Sequence, residues 1–205
     1  MNNVHININM PKIIKNISER LEEELEKMVC DEGKEISIRA LAARVGVAVG
    51  TIYNYYPTKD EMIKVVFQRE WSNTIKIIQE GLNNTKSPEG SDLKLIVTEI
   101  YNLIEKVGQR HAQRKKSIDC KHTVSNPPYP HSPQAWEWLV TSFIPVWQGV
   151  LKGKGIEDQL NRLTISTISS ISRLLFQFPD QRDENINFVL DQIVNGGLYA
   201  VSKQQ

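Results

Sequence analysis

The segment ISIRALAARVGVAVGTIYNYYPTKDEMI, residues 36–63, decides the fold of this chain. Its apolar residues recur at helical spacing and predict a short helix whose buried stripe carries Ile38, Leu41, Ala42 and Val45. Ser37 is placed to cap the first turn of this helix, and Gly46 is placed to end it. Only about two helical turns fit in residues 49–55, because Pro57 disfavours helical geometry in the residue before it. The segment therefore predicts two short helices joined by a tight turn.

Helical periodicity continues on both sides of this segment. Upstream, a stripe at helical spacing predicts a helix over about residues 11–32, and it carries Ile14, Ile17, Leu21, Leu25 and Met28. Downstream, Thr58 and Glu61 have the spacing of a capping box, which predicts that a long helix starts there. This helix should run for some two dozen residues, until residues 85–91 supply proline, glycine and serine.

The second half of the sequence predicts four further helices. The first starts near Asp92 with Ser91 as its cap, and a proline-rich loop follows over residues 122–133. The next opens at Pro133 and should be kinked by Pro145. Two closing helices follow, with apolar stripes at Leu160, Leu163, Ile168, Ile171, Leu175 and Phe178, and at Ile186, Val189, Leu190, Ile193, Val194 and Leu198. No segment favours a strand, so the predicted fold class is all-α, with domains at 1–60 and 61–205.

Composition fits a globular chain of 205 residues that is 40% hydrophobic and has a net charge of +1. No apolar run reaches the roughly 20 residues of a membrane span, and the polar N-terminus lacks signal-peptide features, so we expect a cytoplasmic protein with no membrane partner. The two cysteines form no Cys-x-x-Cys pair. Charge is uneven, because residues 19–35 are rich in acids, whereas 36–59 carry only the basic residues Arg39, Arg44 and Lys59. A phosphate-facing surface can be local to that stretch.

The segment 36–63 resembles the DNA-binding signature of the TetR family. The resemblance is carried by Leu41-Ala42, Gly46-Val47, Gly50-Thr51-Ile52-Tyr53 and Lys59, which stand in the family's order and spacing. It implies an N-terminal three-helix helix-turn-helix domain followed by a helical ligand-binding and dimerisation domain. It also implies a transcription regulator, typically a homodimeric repressor that a small-molecule effector releases from a palindromic operator.

The resemblance further implies which residues contact double-stranded DNA. Base-edge contacts would fall on Arg39, Val49, Gly50 and Asn54, and phosphate contacts on Thr51, Tyr53, Tyr55 and Lys59, while Ser37 and Ile38 complete the set. A helix about 10–12 Å wide fits a major groove of roughly 12 Å, so the physical dimensions agree with this assignment. Tyr56 is assigned to the core of the small domain. Ala48 stands where a capping serine or threonine is common in the family, which costs the reading helix about 1 kcal/mol.

The resemblance implies a small-molecule site in the second domain. Trp136, Phe143 and Trp147 lie on one helix face and, with Tyr101 or Leu103, can line an apolar cavity. Core packing explains these residues equally well. Homodimerisation would use the last two helices, whose small side chains allow close contact.

Other functional classes find little support in the residues. No catalytic signature is present, so we expect no enzyme and no cofactor. His111, Cys120, His122 and His131 are irregularly spaced, so we predict no metal site. The basic run Arg110, Arg114, Lys115, Lys116 and Lys121 is interpreted as a solvated helix end, with an anionic ligand or a second phosphate contact left open. The competing hypothesis is an all-helical small-molecule carrier or interaction protein without a DNA role.

Overall fold

Three helices form the N-terminal part of the protein in a computed structural model, which describes residues 16–28, 37–84, 91–117, 133–152 and 157–197. They are α1 (Ile17–Glu26), α2 (Ile38–Val45) and α3 (Val49–Tyr55). Within the described ranges all regular structure is helical. The predicted all-α class is confirmed. The predicted ends of the first helix, 11–15 and 29–32, lie outside the described residues.

The turn between α2 and α3 follows the predicted local chemistry. The backbone N–H of Ala40 donates to Ser37 Oγ at 3.3 Å, which caps α2. Gly46 ends α2 with a φ of 75°, in the left-handed region that glycine adopts without a steric penalty. Its N–H donates to Ala42 O at 2.9 Å. The residues that flank α2 therefore set both of its ends.

The first three helices share a small apolar core. Helix α1 packs against α2, and α2 packs against α3. Their fully or almost fully buried side chains include Leu21, Leu25, Leu41, Val45 and Ile52. Polar contacts also join α1 to α2: Arg20 donates to Val45 O at 3.2 Å, and Arg44 lies 3.9 Å from the Glu24 carboxylate.

The remaining helices are α4 (Lys59–Asn84), α5 (Ser91–Ser117), α6 (Pro133–Val150), α7 (Leu160–Gln177) and α8 (Arg182–Asp191). A 3-10 turn, Glu157–Gln159, precedes α7, and a π-helical turn, Gln192–Gly197, follows α8. Internal packing divides the chain into two units, Met1–Lys59 and Asp60–Gln205. Helix α6 runs through Pro145 as one helix, and its predicted kink stays a prediction. Among the described residues, no helix is both long enough and apolar enough to cross a bilayer.

An aromatic column runs through the core of the second unit. Ring centroids are 6.4 Å apart for Phe67 and Trp71, 5.4 Å for Trp71 and Phe143, and 5.5 Å for Phe143 and Trp147. Both indole N–H groups donate within the protein, from Trp71 to Ser142 Oγ at 2.8 Å and from Trp147 to Thr164 Oγ1 at 3.0 Å. The column thus connects α4 to α6 through ring contacts, and the Trp147 hydrogen bond links α6 to α7.

A buried ion pair links α4 to α5 and corrects one expectation. Arg110 Nη2 lies 2.6 Å from both carboxylate oxygens of Glu70, and the two residues are 8% and 7% exposed. The interpretation of Arg110 as part of a solvated helix end is therefore wrong, because a partner 40 positions away in the sequence draws it into the interior. The structure does not describe the other four basic side chains of that run.

Two apolar residues predicted on buried stripes are exposed instead. Phe178 follows the last residue of α7, where the helical period no longer directs it to the core, and it is 46% exposed. Val194 lies in the π-helical turn after α8 and is 44% exposed. The predicted Leu198 lies outside the described residues.

Candidate nucleic-acid interface

Helix α3 buries one residue and exposes the opposite face. Ile52 is fully buried, whereas Val49, Tyr53 and Tyr55 are 38%, 48% and 40% exposed. Gly50 and Asn54 are also exposed, and Thr51 is half-buried. Large apolar and aromatic side chains are usually buried, so their exposure on a two-turn helix indicates a surface that contacts another molecule. The residues predicted to contact DNA on α3 share an accessible surface.

Gly50 contributes no side chain to the exposed face of α3. A Cβ atom added to Gly50 would meet no atom of the chain within 4 Å. The packing of the unit therefore does not require glycine at this position, which lies inside a helix, where glycine is unfavourable. A close approach by another molecule is a physical reason for a glycine in such a place.

The start of α3 is capped by backbone alone. Ala48 offers no side-chain cap, as its side chain predicts, and the Thr51 N–H donates to Ala48 O at 2.9 Å.

The start of α2 contributes an exposed Arg39 and Ser37, with Ile38 half-buried. The Ser37 hydroxyl oxygen accepts a hydrogen bond in capping α2, and this contact does not use its O–H as a donor.

Lys59 is the first residue of α4 and is half-buried. The N-terminal end of a helix carries partial positive charge from exposed N–H groups, which adds to the charge of the lysine. Asp60 and Glu61 follow in the first turn of α4 and balance part of this potential.

Tyr56 lies in the core of the small domain, as predicted. Its ring is 6% exposed, and its hydroxyl has no hydrogen-bond partner among the described residues. Burial raises the pKa of Tyr56 to about 12, with smaller contributions from the negative charge of Glu22 and from Tyr55. The hydroxyl is therefore neutral at pH 7 and does not belong to the exposed face of α3.

The residues predicted to line a small-molecule site are all in or against the core of the second unit. Tyr101, Phe143 and Trp147 are fully buried, Leu103 is 6% exposed, and Trp136 packs against the same cluster while partly buried. The Tyr101 hydroxyl accepts a hydrogen bond from Asn185 Nδ2 at 3.2 Å. The five side chains thus pack against one cluster, and their role in binding a ligand stays a prediction.

Comparison with known proteins bears directly on the N-terminal segment. Residues 34–66 match the family described as bacterial regulatory proteins, tetR family. The match over these residues supports a regulator of the TetR family. The matched residues contain α2, the start of α4 and all of α3 with the exposed face described above. TetR-family transcription regulators bind DNA.

A curated TetR-family relative aligns with part of the chain. The nucleoid occlusion factor SlmA of Haemophilus ducreyi is 28% identical over 103 residues, which are 48% of this chain and 48% of that protein. The chain therefore spans about half the length of this relative in the alignment.

Two solved structures share the fold over most of the chain. The fatty acid degradation regulator FadR of Bacillus halodurans superposes with a TM-score of 0.56 at 12% identity, covering 87% of this chain and 98% of that one. The transcriptional regulator FadR of Bacillus subtilis, in complex with stearoyl-CoA, gives a TM-score of 0.53 at 14% identity with the same coverages. At these identities the likeness concerns the fold alone.

The sequence pattern did not predict a polar junction between α5 and α8. The Arg182 guanidinium lies 5.0 Å from the ring centroid of Tyr101, donates to Glu105 Oε2 at 2.9 Å and also donates to Asn102 Oδ1. Asn185 donates to Tyr101 OH and, at 2.8 Å, to Phe178 O. These contacts pin the start of α8 onto α5. Partners about 80 positions apart leave no periodic signal in a single sequence.

Proposed function

We propose that this chain is a homodimeric repressor that binds a palindromic operator through α3 and is released by a small-molecule effector bound in residues 61–205. The observation that carries the proposal is the exposed face of α3, which joins Val49, Gly50, Tyr53 and Tyr55 in a segment of the TetR family. A helix presented in this way fits the major groove, where its first residues reach base edges.

The proposed division of labour follows the chemistry of the side chains. Arg39 is exposed at the start of α2 and can donate to guanine, a contact that contributes roughly 1–3 kcal/mol of discrimination. Val49, Gly50 and Asn54 would complete the contacts to base edges. Phosphates would be held by the hydroxyls of Thr51, Tyr53 and Tyr55 and by the charge of Lys59, which add affinity with little sequence choice.

Homodimerisation is supported by an apolar surface at the end of the chain. The exposed large apolar side chains of this region are Ile165, Phe176, Phe178, Phe188 and Val194, and Phe176 is 83% exposed. A monomer seldom exposes so many large apolar groups together. A second copy that covers this surface by twofold symmetry would present two α3 helices to two half-sites about one helical turn apart.

The effector is proposed to bind among Tyr101, Leu103, Trp136, Phe143 and Trp147. Apolar walls with a few polar groups are typical of small-molecule sites. The Bacillus subtilis regulator of the same fold holds stearoyl-CoA, which makes acyl compounds a reasonable first class to assay. Binding should alter the Trp71 and Trp147 fluorescence and should weaken DNA binding if the effector favours a second conformation.

The test starts with selection of binding sites from random duplex DNA, followed by anisotropy titrations of the selected site. Arg39→Ala should weaken binding about 5-fold to 150-fold, which corresponds to the loss of roughly 1–3 kcal/mol. Tyr55→Phe should weaken it less, because it removes one hydroxyl contact to phosphate. Lys76→Ala is the matched control for lost charge, since Lys76 is exposed on α4, and Tyr56→Phe is the control for a lost hydroxyl.

Equal affinities for wild type, Arg39→Ala and Tyr55→Phe would show that the DNA contacts are wrongly assigned. Enrichment of no sequence at all, together with ligand binding that survives deletion of residues 1–60, would instead favour the carrier or interaction protein without a DNA role.

A further inference from the structure

The outward face of α7 combines apolar, small and basic side chains. Its exposed residues at helical spacing are Arg162, Ile165, Ser166, Ser169, Arg173 and Phe176, which fall on one stripe. Helix α7 contains two arginines and no acidic residue. The exposed stripe is therefore positively charged on both sides of its small and apolar centre.

The outward face of α8 has the opposite charge. Glu184, Phe188 and Asp191 are exposed and lie three to four positions apart, and Asp183 is exposed beside them. The one basic residue of α8, Arg182, is engaged by Glu105 and Asn102 of α5. Helix α8 packs against α7, so a basic stripe and an acidic stripe lie on neighbouring helices around the exposed phenylalanines.

The charged residues of the two stripes form no ion pairs within the described part of the chain. No ion pair between described residues involves Arg162, Arg173, Glu184 or Asp191. Glu184 lies in the first turn of α8, where an acid also favours the helix dipole, but Asp191 lies at the other end and lacks that benefit. An apolar centre with charged residues at the rim is the usual composition of a protein interface.

We propose that the occupant of this surface is a second copy of the chain and that charge selects it, with Arg162 and Arg173 on α7 facing Glu184 and Asp191 on α8 of the other copy. The inference rests on the proposed homodimer and adds the residues that determine its specificity. In a twofold contact each pairing occurs twice, so the basic stripe of each copy meets the acidic stripe of the other. A surface of one charge alone would repel its own copy, whereas two neighbouring stripes of opposite charge complement themselves.

The test inverts each stripe separately. One variant carries Arg162→Glu and Arg173→Glu, and the other carries Glu184→Lys and Asp191→Lys. Each variant alone places like charges together in its own dimer, so its dissociation constant should rise at least about tenfold over wild type. An equimolar mixture should form heterodimers, because the acidic α7 of the first variant meets the basic α8 of the second.

Analytical ultracentrifugation gives the dissociation constants, and native mass spectrometry of one isotopically labelled variant identifies the heterodimer. Lys76→Glu with Glu80→Lys is the matched control, because this exposed pair on α4 undergoes the same inversion away from the surface. Circular dichroism spectra of all variants establish that they fold.

Each result of the charge-inversion experiment supports or overturns the proposed pairing of α7 with α8. Weak self-association of both variants with heterodimers in the mixture supports the inference, as does a wild-type dimer that weakens with salt. Variants that dimerise as tightly as wild type, or weakened variants that fail to restore each other, overturn it while the homodimer stands. A wild-type chain that stays monomeric at high concentration overturns the proposed homodimer itself.

Discussion

Removal of Arg110 should destabilise the second unit strongly, because it strands a buried carboxylate. In the native protein both Glu70 oxygens lie 2.6 Å from Arg110 Nη2, and Lys106 Nζ lies 3.4 Å from one of them. Arg110→Met keeps most of the apolar volume but deletes the closest cation. Breaking a buried ion pair in this way typically costs about 3–5 kcal/mol. Lys106 remains as a partly exposed partner, so we expect a loss near 3 kcal/mol.

The double variant separates the ion pair from the packing around it. Glu70→Met combined with Arg110→Met removes both charges of this buried pair, and such replacements are often neutral or stabilising. We therefore expect the double variant to be more stable than Arg110→Met alone by roughly 2 kcal/mol or more. For a chain of this size a loss of 3 kcal/mol lowers the Tm by about 6–12 °C.

Urea unfolding followed by circular dichroism and by Trp71 and Trp147 fluorescence measures these differences. The reasoning would be refuted if Arg110→Met cost less than about 1 kcal/mol, or if the double variant lost as much as the sum of both single variants. Either result would mean that Glu70 reaches solvent or another partner without Arg110.

Three further predictions concern polar groups in the two cores. Tyr56→Phe should leave stability unchanged or raise it by about 1 kcal/mol in thermal unfolding, because it removes a buried hydroxyl without a described partner; a clear loss would reveal a partner. The pKa of Tyr56 is raised from 10.0 to about 12 in the folded protein, so the hydroxyl loses its proton more easily in the unfolded chain. The free energy of unfolding is therefore unaffected by this group below pH 10 and falls as the pH rises toward 12. Tyr56→Phe should reduce that alkaline loss in melts at pH 9 and 11. Thr167→Val should likewise be neutral or stabilising by about 1 kcal/mol, since Thr167 Oγ1 is buried without a described partner. Asn185→Ala should cost about 1–3 kcal/mol in urea unfolding, because it removes the hydrogen bonds that the Asn185 side chain donates to the Tyr101 hydroxyl and the Phe178 carbonyl; an unchanged midpoint would argue against the junction.

The helices that local chemistry defines were predictable from the sequence. Helix α2 begins after Ser37 and ends at Gly46, and α6 begins at Pro133, because caps and backbone preferences act within a few residues. The exposed face of α3 follows from the same principle, since a short helix with Ile52 directed to the core turns Tyr53 and Tyr55 outward.

Contacts between distant residues were not predictable in this way. Arg110 has the sequence context of a basic helix end, and only Glu70 on another helix explains its burial. The sequence predicts Tyr101 only as a wall of an apolar cavity, yet its ring and hydroxyl are engaged by Arg182 and Asn185. Phe178 looked like the end of a buried stripe, but the helix ends one residue earlier. A periodic pattern tells which face is apolar and not which neighbour covers it.

Gly50→Ala tests the central claim most directly, because the account predicts opposite effects on folding and on DNA binding. The new methyl group meets no atom of the chain, so a better helix former should raise the stability of the small unit by about 0.5–1 kcal/mol. The same methyl group should weaken binding to the selected DNA about tenfold, the equivalent of one base contact of roughly 1–3 kcal/mol. Gly108→Ala on α5 is the control, since its added Cβ also meets open space. A Gly50→Ala protein that is more stable and binds DNA as tightly as wild type would contradict the placement of α3 against DNA.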